Sequence, residues 1–299
     1  MQYIIMDLEW NGSYSKKIGG YFNEIIEIGA VKLDKNLSFV DSFSLMIKPR
    51  ISPKLSTVVR NLTNIRNEEL NSGCECSSAI SRFKKWIRKK DSVILTWGNS
   101  DLLVLLQNCK YFFGADKIPF LDKFVDLQQY TQKHLGMEGG NHLGLSKASE
   151  ILKVEDENIK LHRALDDSML SAAVLKKIFS TEELLEHLVD ASTPQFYERL
   201  LFKTKIITDI QNPLVIAANK HFYCPECNTK MSRQVAWKFK NKQFRSEFLC
   251  SECDRTYEGK MLFKMEYEGL VIKRSIIEKL SIKIDADKTA PIFATKEVN

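Results

Sequence analysis

The sequence contains no apolar run approaching the roughly 18 residues needed to span a membrane. It opens without the basic, apolar and small-residue succession of a secretory leader, so a cytoplasmic protein with no membrane association is expected. It has no internal repeat and no low-complexity tract. It has no phosphate-binding loop either: Gly140–Lys147 holds glycines and a lysine at the wrong spacing. Seven cysteines, an odd number in a chain without a leader, argue against a disulfide framework. What remains is an ordinary globular composition, 44% apolar and 27% charged over 299 residues. That is enough chain for one large domain and a small one.

Charge is unevenly spread. Residues 201–299 carry 18 Lys and Arg against 12 Asp and Glu, which is the whole of the net +6. A basic last third points to an anionic partner, though an excess this small is weak evidence alone. Ahead of it, strand-like runs at Tyr3–Trp10, Ile25–Leu33 and Phe39–Lys48 form a meander turning at Asp34-Lys35-Asn36. Helical periodicity follows at Ala79–Arg88, a short buried strand at Val93–Thr96, a helix from near Asp101, and a long helix over Ala164–Ile178. Strands as a meander, then alternating with helices, predict an α/β fold, a mixed sheet flanked by helices. The expected layout is a first domain over 1–180, a helical connector over 181–217, and a small β-rich module with a charged tail over 218–299.

Asp7 and Glu9 stand in the apolar run Tyr3-Ile4-Ile5-Met6-Asp7-Leu8-Glu9-Trp10. Residues two apart on a strand share a face, about 7 Å apart. Two bare carboxylates there would repel each other and lose hydration, and bound cations would remove both penalties. On the long helix, Leu170, Ser171, Val174 and Ile178 mark the inward stripe, and stepping back three or four residues reaches Asp167 rather than Asp166. His162 precedes that helix, where its ring can approach the same site. Carboxylates suit Mg²⁺ or Mn²⁺, two such ions can drive an in-line phosphoryl displacement, and a histidine can take the proton of the attacking water. Asp7, Glu9, Asp101, Asp167 and His162 fit these roles. Taken singly each has a bland reading: strand-end acids in solvent, an acid at a helix start, a surface histidine.

Asp7-Leu8-Glu9, Trp97-Gly98-Asn99-Ser100-Asp101 and His162-Arg163-Ala164-Leu165-Asp166-Asp167 resemble, in that order, the motifs of the DEDDh family of 3′→5′ exonucleases. The second motif looks most like the Eri-type and KapD-like exoribonuclease branch. Glu27 in Ile25–Val31 matches the family's second strand, and Leu145–Leu152 its helix before the third motif. The resemblance implies a ribonuclease H-like fold. It implies that Asp7 bridges two Mg²⁺ or Mn²⁺ ions, that Glu9 and Asp167 complete the first site, that Asp101 holds the second ion through water, and that His162 is the general base. The segment Leu8, Trp10 and Asn11 would cradle the terminal nucleotide, although Trp10 and Asn11 replace the small residues or threonine often found there. The implied substrate is single-stranded RNA, ahead of DNA, with a free 3′ end.

The remaining signal is Cys224-Pro-Glu-Cys227 and Cys250-Ser-Glu-Cys253. Two such chelating turns predict one structural Zn²⁺ held by four thiolates in a zinc ribbon, with no position open for catalysis. Between the pairs, Val235, Trp237 and Phe239 alternate with Lys238 and Lys240, which predicts a hairpin turning near Asn241-Lys242. Lys238, Lys240 and Lys242 would contact phosphates while the aromatics stack on bases. The competing reading makes the aromatics core and the lysines a solvated face. The ribbon could equally dock on a protein partner or a second copy of the chain, giving an adaptor or an assembly-dependent nuclease subunit.

Overall fold

The computed structural model describes residues 1–88, 91–137, 142–154 and 162–279. The charged tail after Ile284, and Gly140 and Asn141 of the discounted phosphate-loop stretch, lie outside the described residues. The chain forms two compact units that divide between Leu201 and Phe202.

In the first unit the order is β1 (Gln2–Ser15), β2 (Gly20–Leu33), β3 (Phe39–Met46), α1 (Thr57–Thr63), α2 (Asn67–Asn71), α3 (Cys76–Ile87), β4 (Ser92–Thr96) and α4 (Ser100–Phe113). Then follow β5 (Lys123–Asp126), α5 (Leu127–His134), α6 (Leu145–Ile151), α7 (Ala164–Ile178), α8 (Thr181–Glu186), β6 (Val189–Asp190) and α9 (Pro194–Leu201). The strands make one mixed sheet in the order β3-β2-β1-β4-β5-β6. β1, β2 and β3 form the expected antiparallel meander, and β4 and β5 run parallel to β1. β1 and β2 are longer than their apolar stretches, because their ladder continues through polar residues to Ser15 opposite Gly20.

Strand periodicity divides the core. Ile4, Met6 and Leu8 of β1 face one layer, with Ala79, Ile80 and Phe83 of α3 and Leu102 and Leu105 of α4. Tyr3 and Ile5 face the other, with Tyr130 of α5 and Val174, Leu175 and Ile178 of α7. Period two therefore carries Asp7 and Glu9 onto the α7 face. Helix α7 lies close against β2 because position 29 is glycine. A Cβ there would fall 2.1 Å from the backbone carbon of Ala164 and the nitrogen of Leu165. Ser168 reinforces the contact, its hydroxyl donating to the Gly29 carbonyl at 3.1 Å.

The segment expected to be a helical connector, 181–217, is instead shared between the units. β6 pairs with β5, and Phe196 and Tyr197 of α9 pack in the first core. Further on, β7 (Lys205–Ile206) pairs with β11 (Arg255–Glu266), and Val215 of α10 (Pro213–Ala217) packs in the second core. Helical periodicity shows which residues want burial but not which core will bury them.

The second unit adds β8 (Ser232–Arg233), β9 (Lys238–Lys240), β10 (Gln243–Cys250) and β12 (Gly269–Glu278). Its sheet runs β12-β11-β10-β8, with β7 on β11 and β9 on β10. Phe222, Phe244, Phe248, Tyr257, Met261 and Phe263 fill one side. The β9–β10 hairpin turns at Asn241 and Lys242, both left-handed at φ 51° and 62°, as a tight hairpin turn with the strands' twist requires.

Gly29→Ala is expected to lower stability by about 3 kcal/mol or more, since backbone rather than a side chain must move. Gly20→Ala, where an added Cβ meets nothing within 4 Å, should stay within about 0.5 kcal/mol. Denaturant midpoints of the two variants make the comparison.

Candidate active site

β1 and β4 are paired only as far as Ile5 and Leu95. Beyond that point β1 continues without a strand on that edge, and a cleft opens at the carboxyl ends of the two strands, as in other open α/β sheets. Gly98, at φ 83°, turns the chain from β4 into α4. That turn places Asp101 in the first turn of α4, where its carboxylate accepts the unpaired Leu8 N–H at 2.9 Å. From the other side α7 brings Asp167. Ligand oxygens of Asp7, Glu9 and Asp167 all lie within 4.8 Å of one another. Asp166 is not part of the group, as the helical stripe implied.

The electrostatics follow from crowding. Burial pushes the Asp7 carboxyl well above its ordinary range, and Asp101, Asp167 and Glu9 push it further. Glu9 is pushed up to about 8, first by burial and then by Asp167. Burial raises Asp101 to about 7, against the stabilising Leu8 N–H. Asp167 is raised by burial, with the His162 N–H opposing. Three converging hard oxygen donors that repel one another are what a Mg²⁺ or Mn²⁺ ion needs, so the residues fit that cofactor class.

His162 precedes α7 at φ 73°, exposed at the cleft, and its backbone N–H donates to Asp167 Oδ2 at 3.1 Å. The next residue anchors this turn. Arg163 donates from Nε and Nη2 to the two oxygens of Glu27, at 3.1 and 3.0 Å. Glu27 is 1% exposed and also accepts the Ala164 N–H at 3.4 Å, at the start of α7. Glu69 of α2 lies 3.8 Å from Arg163 Nη1. From the sequence Glu27 can be read as an acid that pairs with a nearby cation, but not with Arg163 in particular, because the partnership spans 136 positions, beyond any local signal.

The cleft has a volume of about 430 Å³. Trp10 and Trp97 line it with Val59, Leu62 and Thr63 of α1 and Leu145 and Ser146 of α6. Nothing in the short α1 run signals this role. A larger groove of about 610 Å³ between α4 and α9 is mostly apolar, and its Asp116 is paired with Lys110 at 2.9 Å. The acid cluster and His162 line the smaller cleft. Two expected nucleotide contacts need correction. Asn11 is 1% exposed, and its amide is consumed by the Ser52 and Lys54 carbonyls and the Ser56 N–H, so it shapes the wall and touches no ligand. The Leu8 side chain is in the core, which leaves only its backbone at the cleft edge.

In the second unit all four sulfurs of Cys224, Cys227, Cys250 and Cys253 lie within 4.8 Å of one another. Cys227 and Cys250 are 3.4 Å apart and Cys224 and Cys253 3.9 Å. Tetrahedral thiolates at about 2.3 Å from a metal are about 3.8 Å apart, so the set fits a four-coordinate ion. Left-handed Asn228 (φ 57°) and Asp254 (φ 50°) follow the two pairs and turn the chain back over each. Cys109 is fully buried packing in the first unit. Lys238, Lys240 and Lys242 are exposed on the hairpin. Of its aromatics, Trp237 packs on Phe222 and Phe248, while Phe239 packs on Phe244 and is still 39% exposed.

The acid cluster predicts a pH effect. A carboxyl with a folded pKa of about 8, against about 4.3 unfolded, holds its proton more tightly in the folded chain. Below about pH 4 it is protonated in both states and contributes nothing. As pH climbs toward 8 the unfolded chain gains by ionising and the folded one resists, so stability falls across that window. In chelator-free buffer without Mg²⁺ or Mn²⁺, melting is expected lower at pH 8 than at pH 6. Glu9→Gln should flatten the trend, and Asp7→Asn should raise the pH 8 melting temperature by about 3 °C. Scanning calorimetry checks all three.

The family profile described as Exonuclease (RNase_T) matches residues 4–175. The probable 3′-5′ exonuclease KapD of Bacillus subtilis (strain 168) is 31% identical over 188 residues, covering 61% of this chain and 87% of the relative. ERI1 exoribonuclease 2 of Homo sapiens is 22% identical over 324 residues, covering 98% of this chain and 43% of the human protein, so the chain spans less than half of that relative. The crystal structure of a full-length 3′-exonuclease aligns with a TM-score of 0.54 at 19% identity, over 64% of this chain and 91% of that one, which supports the ribonuclease H-like fold. On the profile match, which spans more than half of the sequence, this chain belongs to the RNase_T exonuclease family.

Proposed function

We propose that the protein is a metal-dependent 3′→5′ exonuclease that removes nucleoside 5′-monophosphates from single strands, RNA ahead of DNA. The observation that carries this reading is the convergence of the Asp7, Glu9 and Asp167 carboxylates in a cleft with His162 at its rim. Asp7, Glu9 and Asp167 would hold Mg²⁺ or Mn²⁺, and Asp101 would hold a second ion through water. When bound, such ions neutralise charge on the phosphoryl group during in-line displacement.

The chain's own residues supply the rest. Asp101 fixes the Leu8 amide and with it the height of Asp7 and Glu9 on β1. The Glu27–Arg163 pair fixes the start of α7 and so the place of Asp167. A His162 ring nitrogen takes one proton from the attacking water. The water oxygen bonds to phosphorus, the bond from phosphorus to the preceding O3′ breaks with its electron pair on O3′, and that oxygen takes a proton from solvent water, so the shortened strand keeps a 3′-hydroxyl. Trp10, Val59 and Leu62 offer apolar surface to the terminal base and sugar. The RNA preference rests on the second motif and on the human relative's name as an exoribonuclease. The four cysteines are assigned one structural Zn²⁺.

The test is cleavage of 5′-labelled single-stranded RNA and DNA of one sequence, with and without Mg²⁺ or Mn²⁺. A ladder shortening from the 3′ end is expected, faster on RNA, with Asp7→Asn and His162→Ala each slowing it by about 10³-fold or more. A well-folded, metal-supplied protein that cleaves neither strand would overturn the reading. For the ribbon, elemental analysis should return one zinc per chain. Cys227→Ser should lose the metal and the second unit's fold, seen as loss of β-sheet circular dichroism.

A further inference from the structure

The sheet of the second unit has one face in the core and one outside. On β10, Phe244, Ser246, Phe248 and Cys250 are buried, while Gln243, Arg245, Glu247 and Leu249 alternate with them on the outer face. The register puts three cations in one row across that face: Lys238 of β9 is opposite Arg245 of β10, which is opposite Lys260 of β11. Like charges directly opposed across strands destabilise a sheet. Glu258 relieves two of them, at 3.5 Å from Arg245 Nη1 and 3.1 Å from Lys260 Nζ. Among the described residues neither Lys238 nor Lys240 forms a salt bridge, and both are exposed beside the row.

A second observation is independent of charge. The Nε–H of Arg245 is buried and has no hydrogen-bond partner. A buried donor without an acceptor is costly and uncommon. Arg245, Lys238 and Lys240 border one hollow of about 190 Å³ with Val235, Ala236 and two carboxylates that are already paired, Glu247 with Lys279 and Glu258 with Arg245 and Lys260. The buried Nε is out of reach of an outside ligand, but the row on the outer face calls for an anion with several acceptor oxygens.

We propose that the outer face of the β9–β10–β11 sheet binds the phosphate backbone of single-stranded nucleic acid through Lys238, Lys240, Arg245 and Lys260. The identity of the strand rests on the exonuclease reading above, since the enzyme's own substrate is the polyanion it must hold. Trp237 is packed in the core cluster, and Phe239, although 39% exposed, lies on the face of β9 opposite Lys238 and Lys240, so this contact reads phosphates and is indifferent to sequence. It is also salt-dependent, because each phosphate neutralised releases counterions.

The experiment uses the full chain in an Asp7→Asn background, so that strands survive. Fluorescence anisotropy with a labelled 20-nucleotide RNA compares that parent with the added pair Lys238→Glu/Lys240→Glu. A rise in Kd of about tenfold or more is expected, with the salt slope reduced by about 1.4, or about 0.7 per lost contact. Lys238→Arg/Lys240→Arg should bind as the parent does. Lys176→Glu/Lys177→Glu, at the far end of α7 with an equal change in net charge, should weaken binding far less. Zinc content and circular dichroism confirm folding. Unchanged RNA binding in the Lys238→Glu/Lys240→Glu pair overturns the proposal. The same holds if RNA binding is unchanged and only self-association on a sizing column is lost, which would assign the face to a protein contact. Binding is read without cleavage. A wild-type chain that leaves a trinucleotide and the 20-mer intact therefore refutes the exonuclease reading, while the charge-reversal comparison still decides this one.

Discussion

The close approach of helix α7 to strand β2 governs the acidic site. It is permitted by the missing side chain at Gly29. Gly29 is opposite Asp7 in the β1–β2 ladder, and Glu27, two residues earlier on the same face, is opposite Glu9. The helix therefore starts directly over the strand pair that carries the acids. One turn into it, Asp167 reaches them. A sheet alone would hold two carboxylates in line, and a helix at ordinary spacing would leave the third out of range of a shared ion. The contact converts a strand motif and a helix motif, far apart in the chain, into one ligand set.

Such a set is electrostatically unfavourable, and the surroundings show how it is tolerated. Residues 1–200 carry 26 Lys and Arg and 26 Asp and Glu, so the negative charge is local rather than global. The cost is confined further by Arg163, whose guanidinium engages Glu27 bidentately and leaves Glu27 satisfied instead of adding a fourth bare acid. Breaking this pair would strand a carboxylate that is 1% exposed. Unrelieved repulsion at a functional site is a common trade of stability for activity.

Much of this is legible in the amino-acid order itself. Period two puts Asp7 and Glu9 on one face, and period 3.6 chooses Asp167 over Asp166, because burial of one side of a regular element leaves a local trace. The cysteine spacing reports its cluster because the two ligands of each chelating turn are neighbours in the chain. What cannot be read depends on partners remote in sequence. Asn11 resembles a ligand contact in the sequence because its bonds go to carbonyls and an amide more than forty residues away. The Arg163–Glu27 clamp is more distant still. The alternation through Trp237 and Phe239 is real, but periodicity cannot say whether an aromatic face meets solvent or a core. Nor does helicity reveal that 181–217 divides between two cores.

The irregular stretch leading into α1 has a consequence of its own. Glu24, 2% exposed, accepts the backbone N–H groups of Arg50, Ile51 and Ser52, and Asn11 ties down the residues just after them. A segment without regular structure would ordinarily lose much conformational entropy on closing over a ligand. Here two buried side chains impose that loss during folding. On the proposed exonuclease reading, the apolar wall formed by Val59 and Leu62 would meet an arriving strand already ordered, with little of the binding energy spent on arranging it.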